Sequence, residues 1–200
     1  MIELVLASGN PGKLVELEEL LAGLPLRLRS MRDFGIAEPA ETGLSFVENA
    51  LIKARHAARL SGLPALADDS GLLVDALHGQ PGLHTADYAG HKAPAAANIA
   101  KLLAALEGVP VQARQARFVA VVVLLRHAED PLPLIAQGEW RGRILARPRG
   151  QDGFGYDPIF EDPALGLSAA EMEPAVKDAR SHRGLALAAL RSRLLDHLGR

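Results

Sequence analysis

The chain has 200 residues, of which 48% are hydrophobic, a formal net charge of −2 and no cysteine. This length and hydrophobic content suffice for one well-packed domain, and the missing cysteines exclude disulfides, thiolate catalysis and zinc–thiolate sites. No apolar run approaches the length of a membrane span, no signal-peptide pattern opens the chain, and the charge favours no nucleic acid. We therefore expect a cytoplasmic protein with a single domain over residues 1–200 and with neither a membrane nor a nucleic acid as partner.

A strand, a glycine-containing loop and a helix are predicted at the start of the chain. Residues 2–7 form an apolar run typical of a buried strand, and leucines recur at helical spacing from Leu14 to Leu21. The loop between them, residues 8–13, ends in Lys13. Such a loop directs backbone amides and the positive end of a helix at an anion, and the lysine adds a full charge. The loop predicts a phosphate site; an ordinary β–α turn with a solvated lysine is the alternative.

A second strand with its connection is predicted over 26–36, followed by an acidic loop over 38–43. Ser45 and Glu48 have the capping-box spacing that opens a helix, which should run to about Leu60. Asn49 and Lys53 lie four residues apart on one polar edge of that helix. Because the helix leads from the acidic loop to a pair of aspartates, we assign this edge to the site and interpret His56 as a solvated residue.

The pair Asp68-Asp69 follows the apolar run 64–67 directly. An apolar run that ends in acids is typical of a buried strand that delivers charge to its C-terminal edge, where α/β sheets bind ligands. Successive strand side chains face opposite ways, so the two carboxylates cannot both enter one pocket if the chain stays extended. We predict that one aspartate holds a turn at Gly71 and the other holds a metal or a water. Taken alone, the residues also fit a solvated turn.

The middle of the chain changes from helical to strand-like patterns. An alanine- and leucine-rich helix is predicted over 95–106 as a structural element. Three β-branched runs follow, at 117–126, 134–140 and 142–146, with turn residues between them. These runs predict antiparallel strands joined by tight turns, and hence a mixed sheet.

An aromatic cluster and a terminal helix complete the pattern. Although the chain is only 4% aromatic, Phe154, Tyr156 and Phe160 lie together among three glycines. An aromatic face can stack on a flat base, and glycines let the backbone approach it; a core-packed aromatic turn is the alternative. The terminal helix should open near Ser181. The leucines available for its core face are Leu185, Leu187, Leu190, Leu194 and Leu195.

The motifs taken together resemble the inosine triphosphate pyrophosphatase family. The matching segments occur in the family's order over nearly the whole chain, and the ordered set is far more specific than any one segment. They are Ala7-Ser8-Gly9-Asn10-Pro11-Gly12-Lys13, Glu41-Thr42-Gly43, Glu48-Asn49-Ala50, Lys53-Ala54, Ala67-Asp68-Asp69-Ser70-Gly71, Pro81-Gly82, Tyr88-Ala89-Gly90, Gly153-Phe154-Gly155-Tyr156-Asp157-Pro158, Ala170-Glu171-Met172 and Ser181-His182-Arg183.

The resemblance implies an α/β fold with a long central mixed sheet flanked by helices, in two lobes with a nucleotide cleft between them. It also implies a homodimer and Mg²⁺-dependent hydrolysis of the noncanonical purine nucleoside triphosphates ITP, dITP and XTP to the monophosphate and pyrophosphate. Glu41 and Asp69 would face the metal. Asp69 would accept the proton of the attacking water, supported by Asp68, while Lys53 neutralises phosphate charge.

The substrate contacts implied by the resemblance fall along the whole chain. They are Ser8, Gly9, Asn10, Pro11, Gly12, Lys13, Ser70, Phe154, Gly155, Tyr156, Asp157, Lys177, His182 and Arg183. Residues 8–13 would hold the triphosphate and Lys177 would neutralise phosphate charge. Residues 154–157 and 182–183 would surround the base.

Three residues depart from the family's pattern. Asp87 stands where a basic residue is usual, Asp178 replaces an asparagine after the lysine, and Arg180 replaces an apolar residue before Ser181. We expect no phosphate contact at position 87 and some change of geometry around Lys177.

Two other functions fit parts of the pattern. A related pyrophosphatase that prefers modified pyrimidines would share the acidic strand end but need a different base pocket. A catalytically silent nucleotide-binding regulator would not need a carboxylate to position water, so the pair Asp68-Asp69 and the lysines argue against it.

Overall fold

The computed structural model describes residues 1–10 and 12–199 and, at Pro11, the backbone that begins a helix. In this described part of the chain, seven strands form one mixed sheet in the order β2-β1-β3-β4-β5-β6-β7. The strands are β1 Ile2–Leu6, β2 Leu26–Ser30, β3 Ala65–Val74, β4 Gln115–Leu125, β5 Leu134–Ile144, β6 Phe160–Asp162 and β7 Leu167–Ser168. The helices are α1 Pro11–Leu20, α2 Phe46–Ser61, α3 Ala95–Ala105, α4 Pro174–Arg180 and α5 His182–His197. The predicted α/β class with a long central mixed sheet is confirmed.

The parallel strands β1 and β3 place two predicted motifs at one edge of the sheet. Leu6 pairs with Leu66, and β1 also runs parallel to β2. Ser8 and Asp68 therefore lie at corresponding positions, each two residues beyond this pair. The loop after β1 and the aspartates of β3 are thus brought together by strand register alone.

The predicted end of β3 at Ala67 is wrong. The strand continues through both aspartates to Val74, and Gly71 lies inside it rather than at a turn. The reason is a second apolar stretch after the acids, because Leu72 and Val74 are fully buried. The chain therefore stays extended at Asp68 and Asp69, which places their side chains on opposite faces of the sheet.

The two strands predicted over 134–140 and 142–146 are a single strand, β5. We interpreted the residues around Gly142 as a turn, but the glycine serves close packing. A Cβ at this position would lie 2.4 Å from the Glu161 carbonyl oxygen and 2.5 Å from the Phe160 ring. β5, β6 and β7 pair in antiparallel fashion, as predicted for this half of the chain.

The chain divides into two compact units. The first comprises Met1–Asp69, Ala120–Gly138 and the chain from Arg183 onward, and the second comprises Ser70–Val119 and Glu139–His182. Each unit has a hydrophobic core of its own. Leu4, Leu66 and Val122 lie in the first core, and Leu72, Phe118 and Trp140 lie in the second. The single domain over residues 1–200 stays a prediction.

The terminal helix α5 packs largely as predicted. Leu187, Leu190 and Leu194 are buried in the first core, and Leu195 packs against it. Leu185 is the exception, since 42% of it is exposed. None of the described helices is both long and apolar enough to cross a membrane.

The connection between β4 and β5 is organised by the buried carboxylate of Asp130. It accepts hydrogen bonds from the backbone N–H of Arg126 at 3.0 Å, the guanidinium of Arg126 at 2.6 Å and the backbone N–H of Leu132 at 3.0 Å. The Arg126 hydrogen bonds hold the pKa of Asp130 well below its usual range. The ionised carboxylate is therefore the form that closes this turn.

We expect Asp130→Asn to lower the free energy of unfolding at pH 7 by about 1–3 kcal/mol, because buried donors lose a charged acceptor. Because folding depresses this pKa, the stabilisation is present above the unfolded pKa of about 3.9 and is lost as the pH falls. Urea unfolding at pH 7 and pH 3 measures both effects. Glu129→Gln, at an exposed neighbour, is the matched control. A loss that is equal at both pH values would contradict the assignment.

Candidate active site

The two aspartates of β3 face two different groups of charges in the first unit. Both are buried, Asp68 at 1% exposure and Asp69 at 7%. An ionised carboxylate taken out of water costs several kcal/mol unless cations and hydrogen bonds compensate it. The surroundings of each aspartate therefore decide its protonation state and what it can do.

Asp68 lies between two cations. Its Oδ2 is 2.8 Å from Lys13 Nζ and accepts a hydrogen bond from Arg183 Nε at 3.2 Å. Burial alone would raise the pKa of Asp68, but Lys13 and Arg183 together outweigh it and hold this pKa well below its usual range. Asp68 is thus a permanent anion that orients two cations, and its predicted supporting role in catalysis stays a prediction.

Asp69, on the other face, shares a lysine with the acidic loop. Lys53 Nζ lies 2.6 Å from Asp69 Oδ1 and 3.0 Å from Glu41 Oε1, and Lys53 is only 7% exposed. Burial raises the pKa of Asp69, and the attraction of Lys53 offsets this only in part. The structure thus brings Lys53, Glu41 and Asp69 together. A carboxylate with a raised pKa is also a stronger base.

Helix α2 positions the loop that carries Glu41. The side chain of Asn49, in the first turn of this helix, accepts a hydrogen bond from the Gly43 N–H at 2.8 Å. A Cβ on Gly43 would lie 2.6 Å from Glu48 Cβ, so the close approach requires glycine. The partly exposed His56 has its Nε2 2.9 Å from the Ala37 carbonyl oxygen, beside the same loop. Lys53 and the loop are thereby held by one helix.

The predicted phosphate loop is closed by its own side chains. Ser8 Oγ accepts from the Asn10 N–H at 3.1 Å, and Asn10 Oδ1 accepts from the Gly12 N–H at 2.9 Å. This local network fixes the turn from which α1 starts. The predicted contribution of Pro11 lies outside the described side chains.

Two acidic residues in this region were not predicted to belong to the site. Glu16 accepts a hydrogen bond from Arg183 Nη1 at 2.5 Å, and Glu38 accepts one from the Gly9 N–H at 2.6 Å. Glu16 could have been found, because it lies one helical turn beyond Lys13 on the same side of α1. Glu38 lies 29 residues from Gly9 in the sequence, and no local sequence pattern predicts a contact between them.

The second unit places Phe154, Asp157 and Lys177 together. Asp157 Oδ2 accepts hydrogen bonds from the Phe154 N–H at 2.8 Å and from Lys177 Nζ at 2.6 Å. Lys177 Nζ lies 5.1 Å from the centre of the Phe154 ring. Phe154 is 50% exposed and Asp157 is 5% exposed. Three of the predicted substrate contacts are therefore in direct contact with one another.

Other members of the predicted aromatic cluster are packed in the core. Phe160 is fully buried, and Tyr156 is buried with its hydroxyl donating to the Thr85 carbonyl oxygen at 2.9 Å. Burial raises the pKa of Tyr156. His182 is also buried and stacks on Phe118 at 4.9 Å between ring centres. Within this cluster, Phe154 is the residue whose ring is substantially exposed.

The three departures from the family pattern have different surroundings. Asp87 accepts from the Lys92 N–H at 2.9 Å, which closes an exposed loop. Arg180 donates from Nε to the buried Asp162 at 2.7 Å. Nothing in the structure explains Asp178. Ser70, the remaining predicted substrate contact, follows Asp69 within β3.

The residues predicted to hold Mg²⁺ suit this ion. Glu41 and Asp69 each direct one carboxylate oxygen at the ammonium group of Lys53, so both carboxylates lie beside the same cation. Mg²⁺ prefers oxygen ligands and is commonly held by one or two carboxylates together with substrate phosphates and water. Among residues 1–199, no group of three or more His, Asp or Glu side chains gathers as metal ligands. Mg²⁺ would therefore have two carboxylate ligands from the protein, Glu41 and Asp69.

Comparisons with known proteins agree on one family. The sequence model of the Ham1 family matches residues 4–193. A dITP/XTP pyrophosphatase of Xanthomonas oryzae pv. oryzae is 62% identical over 194 residues, covering 97% of this chain and 98% of its own. A dITP/XTP pyrophosphatase of Xylella fastidiosa is 60% identical over 191 residues, covering 96% of each. The solved structure of a HAM1 protein from Coxiella burnetii is similar with a TM-score of 0.92 and 49% identity, covering 98% of this chain and 100% of its own.

We expect Arg183→Ala to lower the free energy of unfolding by about 3 kcal/mol, because it removes one partner of a buried ion pair. This loss of about 3 kcal/mol lies at the low end of the range for breaking a buried ion pair, because Lys13 still compensates the Asp68 carboxylate. Urea unfolding measures it. Arg193→Ala, at an exposed arginine of the same helix, should change the free energy by about 0.5 kcal/mol or less. Equal changes in the two variants would show that the buried pair contributes nothing.

Proposed function

Because this chain belongs to the Ham1 family, we propose that it hydrolyses the noncanonical purine nucleoside triphosphates ITP, dITP and XTP to the nucleoside monophosphate and pyrophosphate. Support comes from relatives of 58–62% identity over nearly their whole length that are named dITP/XTP pyrophosphatase. The predicted enzyme class agrees with these names. The observation that carries the proposal is the charge arrangement on β3, with Asp68 between Lys13 and Arg183 and Asp69 beside Lys53 and Glu41.

Asp69 is the proposed general base. Its pKa is raised by burial, so it binds the proton of an attacking water more strongly than an exposed aspartate would. Lys53 keeps its charge: burial alone would lower its pKa, but Asp69 and Glu41 outweigh that and raise it. A cation at this position orients the carboxylate and stabilises negative charge that develops on phosphate oxygens.

Residues 8–13 are the proposed holders of the triphosphate. Lys13 lies in the first turn of α1 and is half-buried against Asp68, which fixes the direction of its ammonium. Charge on the non-bridging oxygens and on the departing pyrophosphate must be neutralised for hydrolysis. Lys13 and Lys53 supply that charge from preoriented positions, and the helix end and loop amides add partial positive charge.

Mg²⁺ belongs to this proposal as the cofactor. Glu41 and Asp69 would hold it. When bound, it withdraws electron density from phosphate oxygens and lowers the pKa of a coordinated water. The protein's own residues would orient the phosphates and accept one proton at Asp69. Burial raises the pKa of Asp69 when no ion is bound, and a bound cation would lower this pKa again.

Base selection follows from hydrogen-bond polarity at C6 of the purine. Inosine and xanthosine carry a carbonyl acceptor there, whereas adenine carries an amino donor. The resemblance assigns the base to His182 and Arg183. Both residues are buried, and the Arg183 guanidinium, which can only donate, also donates to Asp68 and Glu16. An adenine amino group facing such donors would be left unpaired, at a cost of about 1–3 kcal/mol. Ser70, Gly155, Tyr156 and Lys177 complete the proposed substrate set.

The homodimer and the cytoplasmic location are parts of the same proposal. The resemblance implies the dimer. The location follows from the proposed substrate, because a house-cleaning pyrophosphatase must act on the nucleotide pool from which polymerases draw.

A nucleotide panel tests the substrate class. With Mg²⁺ present, pyrophosphate release should be fast with ITP, dITP and XTP and slow with ATP and dTTP, because the latter two lack the matching base. Chromatography of the products should show the monophosphate. A preference for modified pyrimidines would support the related pyrimidine enzyme instead, and binding without release would support a regulator.

Asp69→Asn should abolish turnover while leaving the fold and much of the nucleotide affinity intact, because an amide cannot accept the proton but keeps the shape of the side chain. Turnover of ITP and isothermal titration with ITP measure the two quantities separately. Asp75→Asn, at an exposed position beyond the end of β3, is the control and should match the unmodified protein. Near-normal turnover of Asp69→Asn would remove Asp69 as the base.

A further inference from the structure

The family resemblance implies that Asp157 contacts the substrate, but in the structure its carboxylate binds Phe154 and Lys177. We propose that Asp157 is a positioning residue, whose carboxylate sets the place of the Phe154 ring and of the Lys177 ammonium for the nucleotide. The inference rests on the proposed hydrolysis of purine nucleoside triphosphates and deepens it at the level of substrate recognition. All three residues lie in the second unit.

The carboxylate of Asp157 accepts hydrogen bonds from other residues of the protein. One oxygen, Oδ2, accepts from the Phe154 N–H at 2.8 Å and from Lys177 Nζ at 2.6 Å. A carboxylate only accepts hydrogen bonds and repels phosphate, so direct contact with a triphosphate would be unfavourable. Its two protein partners have the chemistry that a nucleotide needs: an aromatic face for a base and a cation for an anionic or carbonyl oxygen.

The loop is shaped to hold this carboxylate. Gly153 has φ +78°, and a Cβ at this position would come within 2.2 Å of Asp157 Oδ2. Glycine is therefore required twice, once for the backbone conformation and once for the close approach. The backbone of 153–154 thus wraps around the carboxylate, and Phe154 is fixed by its own N–H while its ring stays half exposed.

Asp157 lies between two buried residues, Tyr156 and Ile159. Its neighbour Tyr156 is buried and donates to the Thr85 carbonyl oxygen, and Ile159 is fully buried. The short 3₁₀ turn Asp157–Ile159 leads directly into β6. A carboxylate fixed in this way can impose its position on a flexible lysine side chain, so less rotamer entropy is lost when a nucleotide binds to that lysine.

A second carboxylate fixes the helix that carries Lys177. Arg180, one turn further along α4, donates to Asp162 Oδ2 at 2.7 Å, and Trp140 Nε1 donates to the same oxygen at 3.0 Å. Residues 177 and 180 lie on one side of the helix. The arginine that departs from the family pattern thereby holds α4 against β6, so that Lys177 reaches Asp157.

The arrangement predicts a specific kinetic signature. Asp157→Asn keeps an acceptor for the Phe154 N–H but loses the ion pair with Lys177, and Asp157→Ala loses both. If Asp157 acts by positioning, KM for ITP should rise about 10-fold or more in the alanine variant and less in the asparagine variant. The value of kcat should stay within about threefold of the unmodified enzyme, since the reacting atoms are untouched. Asp152→Asn, at an exposed carboxylate of the same loop, is the control and should leave KM unchanged.

A double-mutant cycle with Lys177→Met separates positioning from a general structural effect. If Asp157 acts partly through Lys177, adding Asp157→Asn to Lys177→Met should raise KM far less than Asp157→Asn does alone. Fully additive effects, or a loss of kcat with an unchanged KM, would overturn the inference.

Amide hydrogen exchange of the ligand-free protein tests the same contacts without any turnover. Peptides covering 150–160 and 174–180 should exchange faster in Asp157→Asn and Asp157→Ala, while peptides of β1 should not change. Unchanged exchange in both segments would overturn the positioning role. If instead the unmodified protein did not hydrolyse ITP, the proposed function would fail while the exchange result still decided the role of Asp157.

Discussion

The compensation of the buried Asp68 carboxylate is the interaction on which the first unit depends. Lys13 at the start of α1 and Arg183 at the start of α5 both reach the same oxygen of this residue on β3. Without them an ionised carboxylate at 1% exposure would be strongly unfavourable. A single charge cluster therefore ties the first helix, a central strand and the last helix together, and the same cluster orients the lysine proposed to meet the triphosphate.

The side chains of β3 point alternately to the two faces of the sheet, so the strand presents different residues on each face. Because the strand stays extended, Asp68 and Asp69 face opposite ways, and their environments shift their pKa values in opposite directions. One aspartate is a permanent anion that holds cations, and the other is a stronger base beside Lys53 and Glu41. Adjacent residues of the same type thus have different chemistry, which suits the proposed division between a structural Asp68 and a catalytic Asp69.

Buried carboxylates organise the second unit in the same manner. Asp157 holds Phe154 and Lys177, and Asp162 holds Arg180. These contacts fix cations before any substrate arrives, so little reorganisation is needed when phosphates or a base are bound. Preorganisation of positive charge by buried acids is therefore common to both units.

The sequence by itself determined the element order, because apolar periodicity, a capping serine and the glycine loop are local signals, and its ordered motifs determined the family. Only the tertiary structure decided where those elements end and which distant segments they contact. β3 runs past Asp69 and β5 past Gly142, because pairing and close packing with distant segments outweigh the local turn signals. The contacts of Glu38, and the difference between the exposed Phe154 and its buried aromatic neighbours, likewise depend on segments far apart in the chain, which no local pattern encodes.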